Sequence, residues 1–169
     1  YPNGVTNKIK GGAIKLLSDT NGDGEFDKVT LFAKNLSYPT SATAWKDGIL
    51  VAAPPNIVYL KDTDGDGVSD EKETFISGFK LGVTDSNLNS LRWNLDNWIH
   101  GANGGNGGNI YFTGKDEVKT PLRNLDFRFR PDISRLETTS QTGGGFGLVF
   151  NEWGHSFTTY NIDYLQQRI

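Results

Sequence analysis

Apolar and polar residues alternate along this chain in short runs, and no long amphipathic helical pattern accompanies them. Ala13-Ile14-Lys15-Leu16-Leu17 and Val29-Thr30-Leu31-Phe32 flank one acidic, glycine-bearing segment, and Ile57-Val58-Tyr59-Leu60 and Thr74-Phe75-Ile76 flank a second. Each run is rich in β-branched and aromatic residues, so each reads as a strand and each pair as a hairpin. After each acidic hairpin comes another built on an aromatic and a polar turn: Ala42 to Val51 around Trp45-Lys46-Asp47-Gly48, then Ser90 to Ile99 around Trp93-Asn94-Leu95-Asp96. A third copy runs from Gly147 to Phe157 through Asn151-Glu152-Trp153-Gly154, and its preceding hairpin is Asp126 to Asp132 with Leu136-Glu137-Thr138. The pattern predicts an all-β protein with few helices.

The hairpins recur at an interval that narrows the architecture. From Asp19 to Asp62 is 43 residues, within the roughly 40 to 45 of a four-stranded propeller blade. Repeat units at about 13–56, 57–109 and 110–161 give an expected β-propeller of four-stranded blades, about three of them present in one domain spanning 1–169. A ring needs at least about four blades to close, which makes the expectation part of a larger propeller. The tract from Gly101 to Asn109 interrupts the period and reads either as a flexible connection between blades or as a backbone-lined ligand loop.

The acidic turns carry the clearest chemistry. A twelve-residue calcium loop offers oxygens from positions 1, 3, 5, 7, 9 and 12, with glycine at position 6. In the second loop these are Asp62, Asp64, Asp66, the Val68 carbonyl, Asp70 and Glu73, around Gly67. In the first they are Asp19, Asn21, Asp23, the Glu25 carbonyl and Asp27, around Gly24, with Thr30 in place of the bidentate carboxylate. Two Ca²⁺ sites are expected, the second the stronger. The alternative is a pair of solvated acidic turns, since Asp and Gly are ordinary turn residues. Because strands flank both loops, a switch that opens a pair of helices is disfavoured.

Net charge supports that reading. The total of −3 conceals −3 over residues 19–30 and −5 over 62–73, leaving +5 elsewhere. Crowded carboxylates repel, so closing the loops is expected to be coupled to a cation. The remaining positive charge is scattered apart from Arg123 to Arg130, which argues against a nucleic-acid binder. At 36% hydrophobic and 22% charged the composition is that of a globular domain. It contains no cysteine and no methionine, which points to a processed chain or a piece of a longer one. No apolar run is long enough to span a membrane, and Tyr1-Pro2-Asn3-Gly4 does not begin a signal peptide.

Four ordered motifs carry a resemblance: Asp62 to Gly67, Leu91 to Gly104, Asp126 to Asp132, and Asn151-Glu152-Trp153-Gly154. Together they resemble the propeller domain of the membrane-bound dehydrogenases of planctomycete-type bacteria, which are similar in turn to soluble quinoprotein glucose and sorbosone dehydrogenases. The resemblance implies a six-bladed ring, a periplasmic or extracellular location, and a parent protein that supplies further blades, helical repeats and a cytochrome c-like domain. It also implies oxidation of a sugar or other alcohol with pyrroloquinoline quinone as hydride acceptor and a histidine as base. In the relatives that histidine precedes the strand matching Leu91-Arg92-Trp93, whereas this chain has Thr84-Asp85-Ser86-Asn87-Leu88-Asn89-Ser90 there. No catalytic residue is therefore assigned, and activity would require a carboxylate such as Asp85 to take the role of base.

Arg92 and His100 are the candidate cofactor contacts, each weighed against a structural role, with His155 read as a surface or packing residue. Trp45, Trp93, Trp98 and Trp153 are read chiefly as packing residues. Two functional readings follow: a quinoprotein sugar dehydrogenase-like domain, or a non-catalytic, calcium-stabilised module that binds a partner, as integrin-type propellers do. A polysaccharide-cleaving propeller ranks last, because no distinctive carboxylate pair stands outside the calcium loops.

Overall fold

The computed structural model describes residues 5–6, 9–82, 86–141, 146–160 and 164–168. Asp85 lies outside the described residues. The described chain is all-β, with antiparallel pairing throughout. It opens with β1 (Val5–Thr6) against β2 (Ile9–Lys10), then the hairpin of β3 (Gly12–Ser18) and β4 (Lys28–Leu36). A meander follows: β5 (Ser41–Trp45), β6 (Gly48–Ala53), β7 (Asn56–Lys61) and β8 (Glu71–Phe79). A second sheet begins with β9 (Asn89–Trp93) and β10 (Ile99–Ala102). The chain then returns to the first sheet, where β11 (Gly108–Phe112) pairs with β8 and β12 (Thr120–Pro121) pairs with β11. The second sheet is completed by β13 (Leu125–Arg130) and β14 (Arg135–Gln141). Last come β15 (Leu148–Phe150), β16 (Ser156–Thr158) and β17 (Gln166–Arg168), a three-stranded sheet.

The sheets are thus β1-β2, β3-β4, the six-stranded β12-β11-β8-β7-β6-β5, the four-stranded β14-β13-β10-β9, and β15-β16-β17; none closes on itself among the described residues. The repeat units read from sequence straddle these sheets. Unit 13–56 joins β3-β4 of one sheet to β5-β6 of the next, because the tight turn at Pro54-Pro55 keeps β7 paired with β6. The first acidic loop joins the two strands of β3-β4, and the second joins the third and fourth strands of the β5–β8 meander.

Period-2 alternation explains how the sheets stack. On β6 and β7, Leu50, Ala52, Ile57 and Tyr59 face one way, and with Ile76 and Phe79 of β8 they form a cluster with Leu91, Ile99, Phe127 and Phe129 of the four-stranded sheet. Val51, Ala53, Val58 and Leu60 face the other way, onto Ala33, Leu36 and Phe32 of the β3-β4 hairpin. A sheet covered on both faces has near-continuous apolar strands, which is why Gly48–Ala53 and Asn56–Lys61 are buried almost without interruption.

The glycine-rich tract is not a loose connection. Gly101 to Gly104 are buried, and the segment carries the chain from β10 back across to β11. A side chain at Gly101 would run into the Phe127 ring, and one at Gly104, where φ is +59°, into the Ser86 carbonyl. Only glycine permits both approaches.

Candidate functional site

The two acidic loops close by the same hydrogen bonds. In the first, Asp19 accepts the amides of Gly22 at 2.7 Å and Gly24 at 2.9 Å, Asn21 Oδ1 accepts that of Asp23, and Asp23 accepts that of Glu25. In the second, Asp62 accepts Gly65 at 2.7 Å and Gly67 at 2.8 Å, Asp64 accepts Asp66, and Asp66 accepts Val68. The glycines at these turns sit at φ between +80° and +92°. Such bonds wind the loop so that its side-chain oxygens converge.

Position 9 is held by a pair that sequence reasoning missed, although the signal was visible: both loops carry threonine at position 2. Thr20 donates its amide and hydroxyl to Asp27, at 3.0 and 2.7 Å. Thr63 does the same to Asp70, at 2.7 and 2.8 Å. The donors stabilise the charged form. Amides of Gly24 and Gly22 draw the Asp19 carboxyl below its ordinary value, those of Gly67 and Gly65 draw down Asp62, and Thr20 and Thr63 draw down Asp27 and Asp70.

In the second loop Asp62, Asp64 and Asp70 bring carboxylate oxygens within 4.8 Å of one another. The matching trio in the first loop is Asp19, Asn21 and Asp27, with an amide oxygen at the middle position. Asp66 and Glu73 stand outside the close trio. Glu73 lies in β8, paired across from Tyr59, and Thr30 lies at the equivalent place in β4, across from Leu16. A strand advances about 3.3 Å per residue, so the pairing carries position 12 along the hairpin instead of folding it under the loop as a helix does. The second loop also rests on its neighbour: Ser69 N–H bonds the Phe32 carbonyl at 2.7 Å, and Lys72 Nζ bonds the Asn35 carbonyl at 3.1 Å.

Asp47, in the β5–β6 turn, accepts Tyr59 Oη–H at 2.7 Å and pairs with Lys61 Nζ at 2.6 Å. Lys61 and then Tyr59 draw Asp47 down to about 2. Burial, and next the Asp47 hydrogen bond, push the Tyr59 phenol up to about 12. Folded Tyr59 keeps its proton where the unfolded chain loses it near 10.0, so its contribution to stability is full below pH 10 and is lost as pH rises toward 12. Tyr59→Phe should remove this part of the alkaline decline, read as a flatter dependence of the urea midpoint on pH above 10.

Arg92 and His100 are directly opposite each other on β9 and β10. Arg92 is exposed, has no ion-pair partner among the described residues, and lines a cleft of about 530 Å³ with Thr40, Ser41, Thr43, Trp93 and Phe150. That cleft runs between β5, β9 and β15, the first strands of three successive sheets. Hydrogen bonds tie them: Leu91 N–H to Ser41 Oγ at 3.0 Å, Trp93 Nε1–H to the Ala44 carbonyl at 2.9 Å, and Gly147 N–H to Asn89 Oδ1 at 3.2 Å.

His100 lines a second cleft of about 460 Å³ with Asp96, Asp126, Arg128, Phe150 and His155. Its Nε2–H donates to Asp96 Oδ2 at 2.9 Å, and its ring meets Phe150 edge-on at 5.0 Å. Burial lowers its pKa, against the opposing pull of Asp96, so the ring is neutral at pH 7. His155 is exposed in the β15–β16 turn, bonded to Asn151. Trp45 packs against Tyr59 and Phe75, and Trp98 lies under Arg128 and Arg135, but Trp153 is 70% exposed and does not pack as read from sequence.

Ser86 to Ser90 hold no histidine, and Asn87, Leu88 and Asn89 are buried. No curated protein and no solved structure matches the chain. A family model described as a domain of unknown function, DUF7133, matches residues 1–168, and the chain belongs to that family.

Proposed function

We propose that this domain is a calcium-stabilised part of a β-propeller from an exported protein of the quinoprotein dehydrogenase type. The observation that carries the calcium assignment is the shared bonding of the two loops, which turns the carboxylates of Asp62, Asp64 and Asp70 together while leaving oxygens uncommitted for a hard cation. Calcium takes oxygen donors alone, and the donors here are carboxylates, an amide and carbonyls. The propeller assignment is supported by the β5–β8 meander, by the four-stranded sheet β9-β10-β13-β14, and by the hydrogen bonds that link the first strands β5, β9 and β15.

For the cofactor, Arg92 is the residue that fits an anionic group, through its unpaired guanidinium in the cleft between first strands. Pyrroloquinoline quinone, when bound, supplies the hydride acceptor; Arg92 would hold a carboxylate and His100 would accept a proton at Nδ1. A second reading, a partner-binding module without catalysis, is favoured by the buried asparagines at the place where relatives of this type carry their base.

The test is a titration of calcium-stripped protein with Ca²⁺ and the quinone, followed by visible absorbance and dye reduction with a panel of aldoses. Two calcium equivalents, saturable quinone binding and aldose-dependent reduction are the expected results. Calcium binding without quinone binding would leave the partner-binding module, and no calcium binding would overturn both.

A further inference from the structure

One row of the four-stranded sheet is used neither by the acidic loops nor by the core. Pairing in register sets Arg92, His100, Arg128 and Glu137 side by side across β9, β10, β13 and β14. In the adjacent row Ile99, Phe129 and Leu136 pack into the core with the six-stranded sheet, while Trp93 at its end is part-exposed beside Arg92 and donates Nε1–H to the Ala44 carbonyl. The polar row instead faces β15, where Phe150 meets the His100 ring.

Most of the row is internally balanced. Asp96 bonds both His100 and Arg128 Nη1, the latter at 3.1 Å, and Glu137 takes Arg128 Nη2 at 2.7 Å and Arg135 Nη2 at 2.6 Å. Arg128 and Arg135 are thus each paired with a carboxylate, and Arg92 is the guanidinium of the row with no ion-pair partner among the described residues. Beside it His100 commits Nε2 to Asp96, which leaves Nδ1 as an acceptor with no partner among the described residues. Phe150 is a wall of both clefts, so it joins the Arg92 end to the His100 end.

We propose that Arg92, His100 and Phe150 form a binding site for a hydroxy-monocarboxylate, a sugar acid of the aldonate or uronate class. Arg92 takes the carboxylate through its planar fork, His100 Nδ1 accepts a hydroxyl proton, and Phe150 packs against the carbon skeleton. Residues opposed across paired strands hold their Cβ atoms about 4.5–5.5 Å apart, a span that suits a carboxylate and a hydroxyl on nearby carbons of one small ligand. A single unpaired guanidinium offers one planar fork, which suits one carboxylate. A phosphate dianion would bring more negative charge toward Asp96 and Asp126, which line the adjoining cleft around His100. The inference shares Arg92 and His100 with the quinone reading but not its redox chemistry, so the two can fail separately.

The experiment is calorimetric titration of the calcium-loaded, full-length protein, without quinone, using D-gluconate, D-glucose and inorganic phosphate. Gluconate should bind saturably and the other two at least about tenfold more weakly. Arg92→Gln should weaken gluconate by about tenfold or more and Arg92→Lys by less, since lysine keeps the charge and loses the fork. His100→Gln should weaken it by a smaller factor, and melting midpoints should be unchanged in the Arg92 variants because that side chain is exposed. Absence of gluconate binding, equal binding of phosphate or glucose, or gluconate affinity undiminished in Arg92→Gln would each overturn the proposal. Quinone binding in the same preparation would leave the dehydrogenase reading standing on its own.

Discussion

Chelating calcium is expected to lower the melting midpoint of this domain by about 5–10 °C for the second loop alone, with a further loss from the first. The size follows from linkage. A site at a hundredfold excess of free ligand over Kd adds about 2.7 kcal/mol to the folded state, and a domain of this length shifts by roughly 2–4 °C per kcal/mol. Asp62→Asn should reduce the calorimetric stoichiometry from two calcium ions to one, because the new amide nitrogen would oppose one of the Gly65 and Gly67 amide donors that Asp62 now accepts. The pH dependence has a defined sign. Asp62 and Asp70 titrate below the ordinary 3.8, so the stability linked to their ionisation is present above that value and is lost as pH falls through their lowered pKa values. A midpoint indifferent to chelation would exclude calcium as a structural ligand, and two ions bound by Asp62→Asn would place the strong site elsewhere.

Much of the fold was legible because hairpins are local. Alternation, turn glycines and β-branched runs fix a pair of strands within about twenty residues, and each predicted hairpin has its counterpart among the strands. What the sequence did not disclose depends on pairing between segments far apart. Strand β11 returns to β8 across an intervening hairpin, and nothing in Gly108–Phe112 names that partner. The glycine tract was read as a loop because glycine usually marks freedom, whereas at Gly101 and Gly104 it permits close approach to Phe127 and Ser86.

The loops followed the same division. Turn chemistry at positions 1, 3, 5 and 9 is written in the spacing, and the bonds of Asp19 and Asp62 follow it. Glu73, expected at position 12, lies in β8 opposite Tyr59 and outside the close trio of Asp62, Asp64 and Asp70. Arg92 and His100 could be picked out singly, but their opposition in register, and the role of Asp96 as the group that orients His100, needed the sheet.

The largest single-residue loss of stability is expected from Phe127→Ala, and it should leave both acidic loops able to close. Phe127 is fully buried, stacks on Phe129 at 6.1 Å between centroids and meets Phe79 at 5.0 Å, so its ring joins the four-stranded sheet to the six-stranded one. It also fills the space that Gly101 leaves open. Truncation removes those contacts and leaves a cavity that rigid paired strands cannot collapse around. The cost should be about 3–5 kcal/mol, which lowers the midpoint by roughly 6–20 °C. Asp62 and Phe127 share no hydrogen-bond partner, since one caps a hairpin and the other sits between sheets. Their effects should add to within a few tenths of a kcal/mol in the double variant. Chemical denaturation of both single variants and the double variant checks this. Additivity with two calcium ions still bound by Phe127→Ala means that the loops are organised by their own hydrogen bonds, whereas loss of calcium binding in that variant would make the stacked sheets, not the turn chemistry, the source of the loop geometry.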